Sequence, residues 1–324
     1  MATRSNFDTL ITVYGGSGFL GRHVVRALAK RDYRIRVAVR RPELANFLQP
    51  LGRVGQIHAV QANLRHSPSV EAAARDAQVL VNLVGILGEG GRQRFDAVHT
   101  FGAEQVALAA SAHDARLVHV SAIGADENSP SAYARTKAAA ERLVLAAQPQ
   151  AIIMRPSILF GPEDDFFNRF ATLARISPAL PLIGGGTTRF QPAFVGDVAR
   201  AVADGVDGKL TGGTIYELGG PEVKTFKALM QYVLATIERK RLLLPLPFFA
   251  ARLQAMALQF MPSPFTLTPD QVELLRVDNV VSDAAKAEGR TLQGIGIEPE
   301  PIEAIVSSYL WRFRKAGQFR SRVA

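Results

Sequence analysis

Tyr14-Gly15-Gly16-Ser17-Gly18-Phe19-Leu20-Gly21 is the stretch that decides how this chain folds. It follows a short apolar run, Leu10-Ile11-Thr12-Val13-Tyr14, and opens residues 21–31, where Val24, Val25, Leu28 and Ala29 share one helical face. The spacing Gly15, Gly18, Gly21 carries meaning in that strand–loop–helix context and little outside it. Gly15 permits the tight turn, Gly18 lets backbone approach a pyrophosphate, and Gly21 lets the helix pack close to the sheet. The helix N-terminus then presents N–H groups and the positive end of its dipole to phosphate. The expected contacts are Gly15, Ser17, Gly18, Phe19, Leu20 and Gly21.

Outward from this loop, strand-like and helix-like segments alternate. Strands are expected at 35–39, 57–61, 79–84, 117–120, 151–154 and 215–218, and helices at 70–75, 101–112, 132–147 and 195–204. Apolar runs without alternation, such as Val79-Leu80-Val81, suit strands covered on both faces. Repeated β-then-α units imply a parallel sheet with right-handed crossovers. The expected class is α/β, a Rossmann doubly wound parallel sheet with a smaller, mostly helical C-terminal lobe. Residues 1–224 are assigned to the dinucleotide-binding domain, some of its segments adding to the substrate-side cleft, and 225–324 to the lobe.

The second strand ends in Arg40-Arg41, where an NAD site places Asp or Glu for the ribose 2′-hydroxyl. A guanidinium pairs with a 2′-phosphate and stacks on adenine, so NADPH is expected over NADH. Asn63 and Leu64, after the third strand, stand where an adenine contact is expected. Val84 and Gly85 at the end of the fourth strand, and Pro156 and Ile158 after the sixth, complete the expected contacts.

Tyr133-Ala134-Arg135-Thr136-Lys137 opens the 132–147 helix, and the i, i+4 spacing puts Tyr133 and Lys137 on one face. A neighbouring ammonium favours phenolate, and such a tyrosine exchanges a proton with a substrate oxygen while hydride moves. The lysine also bonds the nicotinamide ribose, so both residues count as cofactor contacts. Ser121, at the end of Leu117-Val118-His119-Val120-Ser121, joins them as the third candidate catalytic residue.

Composition bounds the rest. The 324 residues are 48% hydrophobic and 21% charged, as in soluble globular proteins. With no cysteine, disulfides, thiolate zinc sites and iron–sulfur clusters are excluded. The six histidines lack ligand spacing, so no metal is expected. A formal charge of +9 attracts phosphates, anionic lipids or an acidic partner. Basic residues are not interleaved with aromatics before the extreme C-terminus, which argues against nucleic acid. A strand starting near Leu10 leaves no place for a removable presequence. The most apolar stretch, 242–261, is broken by Pro245, Pro247 and Arg252 and does not read as a membrane span. Within it Phe249, Leu253, Met256 and Phe260 share a face, preceded by Lys240 and Arg241. That pattern suits either a core helix or an interface with lipid or a partner. The tail Trp311-Arg312-Phe313-Arg314-Lys315, then Phe319-Arg320-Ser321-Arg322, is a second candidate for docking.

Taken together these residues resemble the extended and atypical short-chain dehydrogenase/reductase superfamily. The resemblance runs from about Leu10 to Pro221 and includes 155–162 (Arg-Pro-Ser-Ile-Leu-Phe-Gly-Pro), 194–199 (Phe-Val-Gly-Asp-Val-Ala) and 216–221 (Tyr-Glu-Leu-Gly-Gly-Pro). The phrases at 121–125, 166–170, 181–186 and 188–192 are similar to the nucleotide-binding accessory subunits of respiratory complex I in their bacterial form. That resemblance implies a tightly held NADPH used structurally, without substrate turnover. It also implies docking beside the quinone-binding region, peripherally at the cytoplasmic face of the bacterial inner membrane. The alternatives are a free cytoplasmic NADPH-dependent short-chain reductase or sugar-nucleotide epimerase/dehydratase, and a nucleotide-binding redox sensor. In Ser121-Ala122-Ile123 the superfamily's usual hydroxyl position is expected to fall on Ala122 or Ile123, which weakens substrate polarisation and favours the structural role.

Overall fold

The structure is a computed structural model that describes residues 6–262, 264–315 and 317. In chain order the main elements begin with β1 Leu10–Tyr14, α1 Phe19–Ala29, β2 Arg34–Val39, β3 Ile57–Gln61, α2 Ser67–Ala74 and β4 Val79–Asn82. They continue with α3 Phe101–Ala112, β5 Arg116–Val120, α4 Ala132–Ala147, β6 Ile152–Pro156, α5 Phe166–Ile176, β7 Ala179–Ile183 and α6 Val195–Val206. The last are β8 Ile215–Leu218, α7 Phe226–Thr236, β9 Leu242–Leu246, α8 Phe248–Leu258 and α9 Pro269–Leu274.

Two compact units divide the chain, and the division is interleaved rather than a single cut after residue 224. The first takes Met1–Pro156, Val195–Leu218 and Asp283–Ile297; the second takes Ser157–Phe194, Gly219–Ser282 and Glu298–Ala324. The 195–204 helix and 215–218 strand expected from the sequence do fall in the first unit, as α6 and β8.

The first unit is a seven-stranded sheet in the order β8-β6-β5-β4-β1-β2-β3, every pairing parallel. The expected doubly wound α/β class is therefore borne out. Strand order reverses between β1 and β4, and in such sheets ligands bind outside the carboxyl ends at that reversal. α1 and α6 pack together, while α2, α3 and α4 cover Tyr14, Leu80, Leu117 and Ile153. Val24, Val25 and Leu28 of α1 are fully buried, a stabilisation of roughly 1.5–3 kcal/mol each. α4 starts where Ser131 Oγ accepts from Ala134 N–H and ends before Pro149, which cannot continue a helix.

The second unit is built around aromatic rings. Phe166 contacts Phe167, Phe170, Phe190 and Phe226, and the C-terminal residues Ile302, Val306, Tyr309 and Leu310 close over the same core. β7 and β9 form a short parallel pair. α8 turns Ala251 and Ala255 inward and leaves Phe249, Leu253 and Met256 exposed, at 70%, 60% and 48%. The apolar face noticed in the sequence is thus an outward one, continued past the helix by Phe260 at 84% exposure. No helix among the described residues is long and apolar enough to cross a membrane. The tail residues 319–322 lie outside the described residues.

Candidate functional site

The glycine loop sits at the carboxyl end of β1. Gly15 takes φ +80, in the left-handed region open to glycine, while its N–H donates to Ala38 of β2. A Cβ on Gly21 would lie 2.3 Å from the Gly15 oxygen and 2.6 Å from the Gly16 carbonyl carbon, so the helix can approach the loop only without one. Gly18 differs from both. Its φ of −72 suits any residue, and the nearest atom to a Cβ there is one carbonyl oxygen at 3.3 Å. The protein's own packing barely requires glycine at that position, which leaves the space in front of the α1 N-terminus open. Gly18 caps α1, no side chain bonds the cap, and the first turn carries no acid. An uncapped helix end beside a cradle that Cβ atoms would fill fits a dinucleotide pyrophosphate.

The flanking candidates of the first unit follow the carboxyl ends of its strands. Arg40 and Arg41 are exposed immediately past β2. Asn63 Oδ1 accepts from Arg65 N–H, and Leu64 is buried against the position of Gly102. A nucleotide would therefore meet the backbone of Leu64 rather than its side chain. Val84 N–H donates to Asn82 Oδ1, and its methyl borders Gly15. Pro156 closes β6 and Ile123 N–H bonds its carbonyl. Ile158 belongs to the second unit, where its N–H donates to Asn279 Oδ1. Phe19, Leu20 and Ser17 lie on the loop and the first turn of α1.

At the ends of β4 and β5 the structure gathers a second group. The buried stripe of α4 is Ala134, Lys137, Ala140, Glu141 and Val144, so Lys137 occupies a helical position that faces the sheet. Its ammonium donates to Val120 O at 3.3 Å and lies 3.4 Å from where a Cβ on Gly85 would be. Burial pushes this amine down to about 8, only partly opposed by the Glu141 carboxylate. Glu141 is held by Arg155, at 2.9 and 2.6 Å. Tyr133 lies one turn earlier, its ring centre 6.0 Å from the Lys137 ammonium.

Ser121 continues the β5 ladder by donating its N–H to Met154 O at 2.7 Å. Two-residue alternation then gives it the face of Leu117 and His119, the face that α4 covers. Its hydroxyl is buried and has no partner. Ser121 thus keeps one hydroxyl on the face that α4 covers, while Ala122 and Ile123 carry none and Ile123 N–H bonds Pro156 O. A buried, unpartnered hydroxyl beside the Tyr133–Lys137 helix suits an oxygen of a bound ligand.

Three polar residues of this group escaped sequence reading. Asn82 and His119 sit opposite each other in the β4–β5 register. Because Asn82 Oδ1 takes Val84 N–H, its amide faces His119 Nδ1, at 3.2 Å. His119 therefore carries its proton on Nε2, which is buried and unpartnered. His99 is the third, in a π-helical turn, Asp96–Thr100, leading into α3. Burial first, then Lys137, push both imidazoles down to about 3, so both are neutral at physiological pH. The available signal was a polar residue breaking an apolar strand run, as Asn82 and His119 both do.

Comparison with known proteins agrees with this geometry. The model of the NAD dependent epimerase/dehydratase family matches residues 11–219, from β1 through β8. The chain is 37% identical to the mitochondrial NADH dehydrogenase (ubiquinone) 1 alpha subcomplex subunit 9 of Arabidopsis thaliana, across 97% of this chain and 80% of that one. It is 36% identical to the ceramide reductase of Caulobacter vibrioides over 59% of this chain and 58% of the relative. The dTDP-glucose 4,6-dehydratase of Bacillus anthracis, solved in complex with NAD, superposes with a TM-score of 0.69 over 93% of this chain and 95% of that chain. Its 19% identity speaks to fold alone. The glycine loop, the parallel sheet and the Tyr133–Lys137 helix all lie within the matched span, and the chain belongs to the NAD dependent epimerase/dehydratase family.

Proposed function

We propose that this chain is an NADPH-holding accessory subunit of respiratory complex I, with a structural or assembly role and no substrate turnover. The observation that carries the reading is similarity to a complex I subunit over nearly the whole chain, second unit included, whereas the similarity to a reductase covers little more than half. Gly15, Gly18 and Gly21 with the α1 N-terminus hold the pyrophosphate, and Lys137 and Tyr133 the nicotinamide ribose. Bound nicotinamide would supply hydride exchange; Tyr133 and Ser121 are placed to give or take a proton at a ligand oxygen. Hence the second reading, a free NADPH-dependent reductase or epimerase/dehydratase, rests on Tyr133 and Lys137, with Ser121 as the third candidate.

The chain docks, on this reading, near the quinone-binding region at the cytoplasmic face of the bacterial inner membrane. Exposed Phe249, Leu253 and Met256 on α8, with Lys240 and Arg241 preceding that helix in sequence, supply the apolar and basic components of an anionic membrane surface contact. Gently solubilised membranes should carry the chain in a very large particle together with NADH:quinone oxidoreductase activity. Recovery only as a small soluble species defeats the proposal. Tyr133→Phe should leave that particle intact, whereas a reductase would lose its turnover.

NADPH preference rests on Arg40 and Arg41 and the absence of a carboxylate at the end of β2. A charge-assisted bond is worth about 1.5–3 kcal/mol, so Arg40→Glu should weaken NADPH roughly 10- to 100-fold and leave NADH almost unchanged. Parallel titrations with the two nucleotides read this out, and equal losses for both would show that Arg40 does not read the 2′-phosphate.

A further inference from the structure

The histidine of the π-helical turn joins three parts of the nucleotide site that the sequence keeps apart. His99 Nε2 accepts from Ile86 N–H at 3.0 Å, in the loop that carries Val84 and Gly85 beyond β4. An accepting Nε2 places the ring proton on Nδ1, which faces Thr136 Oγ1 at 3.2 Å. Thr136 in turn directs its hydroxyl toward Ala132 O, at 2.9 Å, or Tyr133 O, at 3.0 Å, within the first turn of α4. The ring stacks on Phe95 at 5.3 Å and meets the Tyr133 ring edge-on at 5.3 Å. Every polar atom of this imidazole is thus engaged, and its partners are the β4 loop on one side and the Tyr133–Lys137 helix on the other. A π turn is a rare local geometry that recurs at functional sites, and His99 lies within this one.

We propose that His99 is a positioning residue of the nucleotide site, a neutral strut that fixes the Val84–Ile86 loop against Tyr133 and Lys137. The inference rests on the nucleotide-holding reading above and adds to it a residue that touches no ligand. Its burial keeps the imidazole uncharged, so it acts through hydrogen bonds and ring contacts, without titration. With the strut absent, Ile86 N–H and Thr136 Oγ1 lose their fixed partner, the loop and the helix move independently, and the bound nicotinamide end loses its definition.

The test is NADPH titration by fluorescence with thermal melting on the same samples. His99→Phe keeps a ring for Phe95 and Tyr133 and removes both hydrogen bonds; His99→Gln restores an acceptor for Ile86 N–H. His99→Phe is expected to weaken NADPH about tenfold, the equivalent of one hydrogen bond, and to red-shift the emission of the bound nicotinamide. His99→Gln should recover most of the affinity. A merely structural histidine would lower the melting temperature in both variants and leave affinity and emission unmoved, which overturns the inference. If His99→Phe does not fold, Thr136→Val, which releases the other end of the strut, carries the test: unchanged affinity and emission overturn the inference, and a loss supports it. Native chain that binds no NADPH overturns the nucleotide reading itself, a result distinct from native binding that is indifferent to His99.

Discussion

Gly21→Ala is expected to destabilise the fold at the nucleotide loop, whereas Gly18→Ala, three residues away, should leave the fold intact and weaken nucleotide binding. The contrast follows from what each new methyl meets. At Gly21 it would lie 2.3 Å from the Gly15 oxygen and 2.7 Å from the Gly16 Cα, all backbone with no rotamer to change. α1 must then back away from β1, opening the packing of Val24, Val25 and Leu28. Overpacking of this kind costs about 3 kcal/mol, or a fall of roughly 6–12 °C in Tm at about 2–4 °C per kcal/mol for domains of 150–250 residues. At Gly18 the one close neighbour is the Gly15 oxygen at 3.3 Å, which a few tenths of an ångström of relaxation absorbs. Its melting temperature should stay within a few degrees of native, while NADPH affinity falls at least about tenfold, because the methyl fills the space that backbone N–H groups offer to phosphate. Melting curves and NADPH titrations on the two variants decide the matter. Equal destabilisation would mean that both glycines serve packing, and full nucleotide binding by Gly18→Ala would remove the phosphate from this loop.

How much of this was legible in the sequence depends on the range of the interaction concerned. β1, β3, α3, α4 and β8 fall at the expected residues, since their hydrophobic periods and their breaks, such as Pro149 after α4, are local. α1 begins at Phe19 rather than Gly21, because a glycine N-cap has no side chain with which to announce itself. The glycine loop and the Tyr133–Lys137 spacing were readable for the same reason: each is a short motif whose chemistry depends on neighbours in the chain. Ser121 was half readable. Its identity was plain, but which of Ser121, Ala122 and Ile123 faces α4 depends on the Ser121 N–H to Met154 bond, which couples strands 33 residues apart. His99 was not readable, since its role comes from a π turn, and Asn82 and His119 showed only as polar breaks in apolar runs, since their pairing comes from the β4–β5 register. The return of Asp283–Ile297 to the first unit was hidden likewise, since it comes through bonds such as Glu217 N–H to Arg290 O.

Lys137 is where the site's demands and the fold's stability pull in opposite directions. An ammonium 4% exposed, with Val120 O as its hydrogen-bond acceptor and Glu141 already committed to Arg155, is poorly repaid for its lost hydration. Lys137→Met, close in length and apolar, should therefore stabilise the nucleotide-free protein at pH 7, by about 1–2 kcal/mol, while weakening NADPH. The pH dependence fixes the cause. The folded-state value near 8 lies below the ordinary 10.5, so the unfolded chain holds more protons between them. Native stability consequently rises through that window relative to Lys137→Met. The advantage of the variant is largest below pH 8 and shrinks as pH rises from 8 toward 10.5. Urea unfolding of both proteins from pH 7 to 10.5 measures the gap directly. A native protein more stable than the variant at pH 7, or a gap that ignores pH, would mean that the ammonium is well solvated where it sits. A closing gap together with lost NADPH binding would mean that a destabilising charge is kept in place for the nucleotide, the expected trade between a binding site and the fold that carries it.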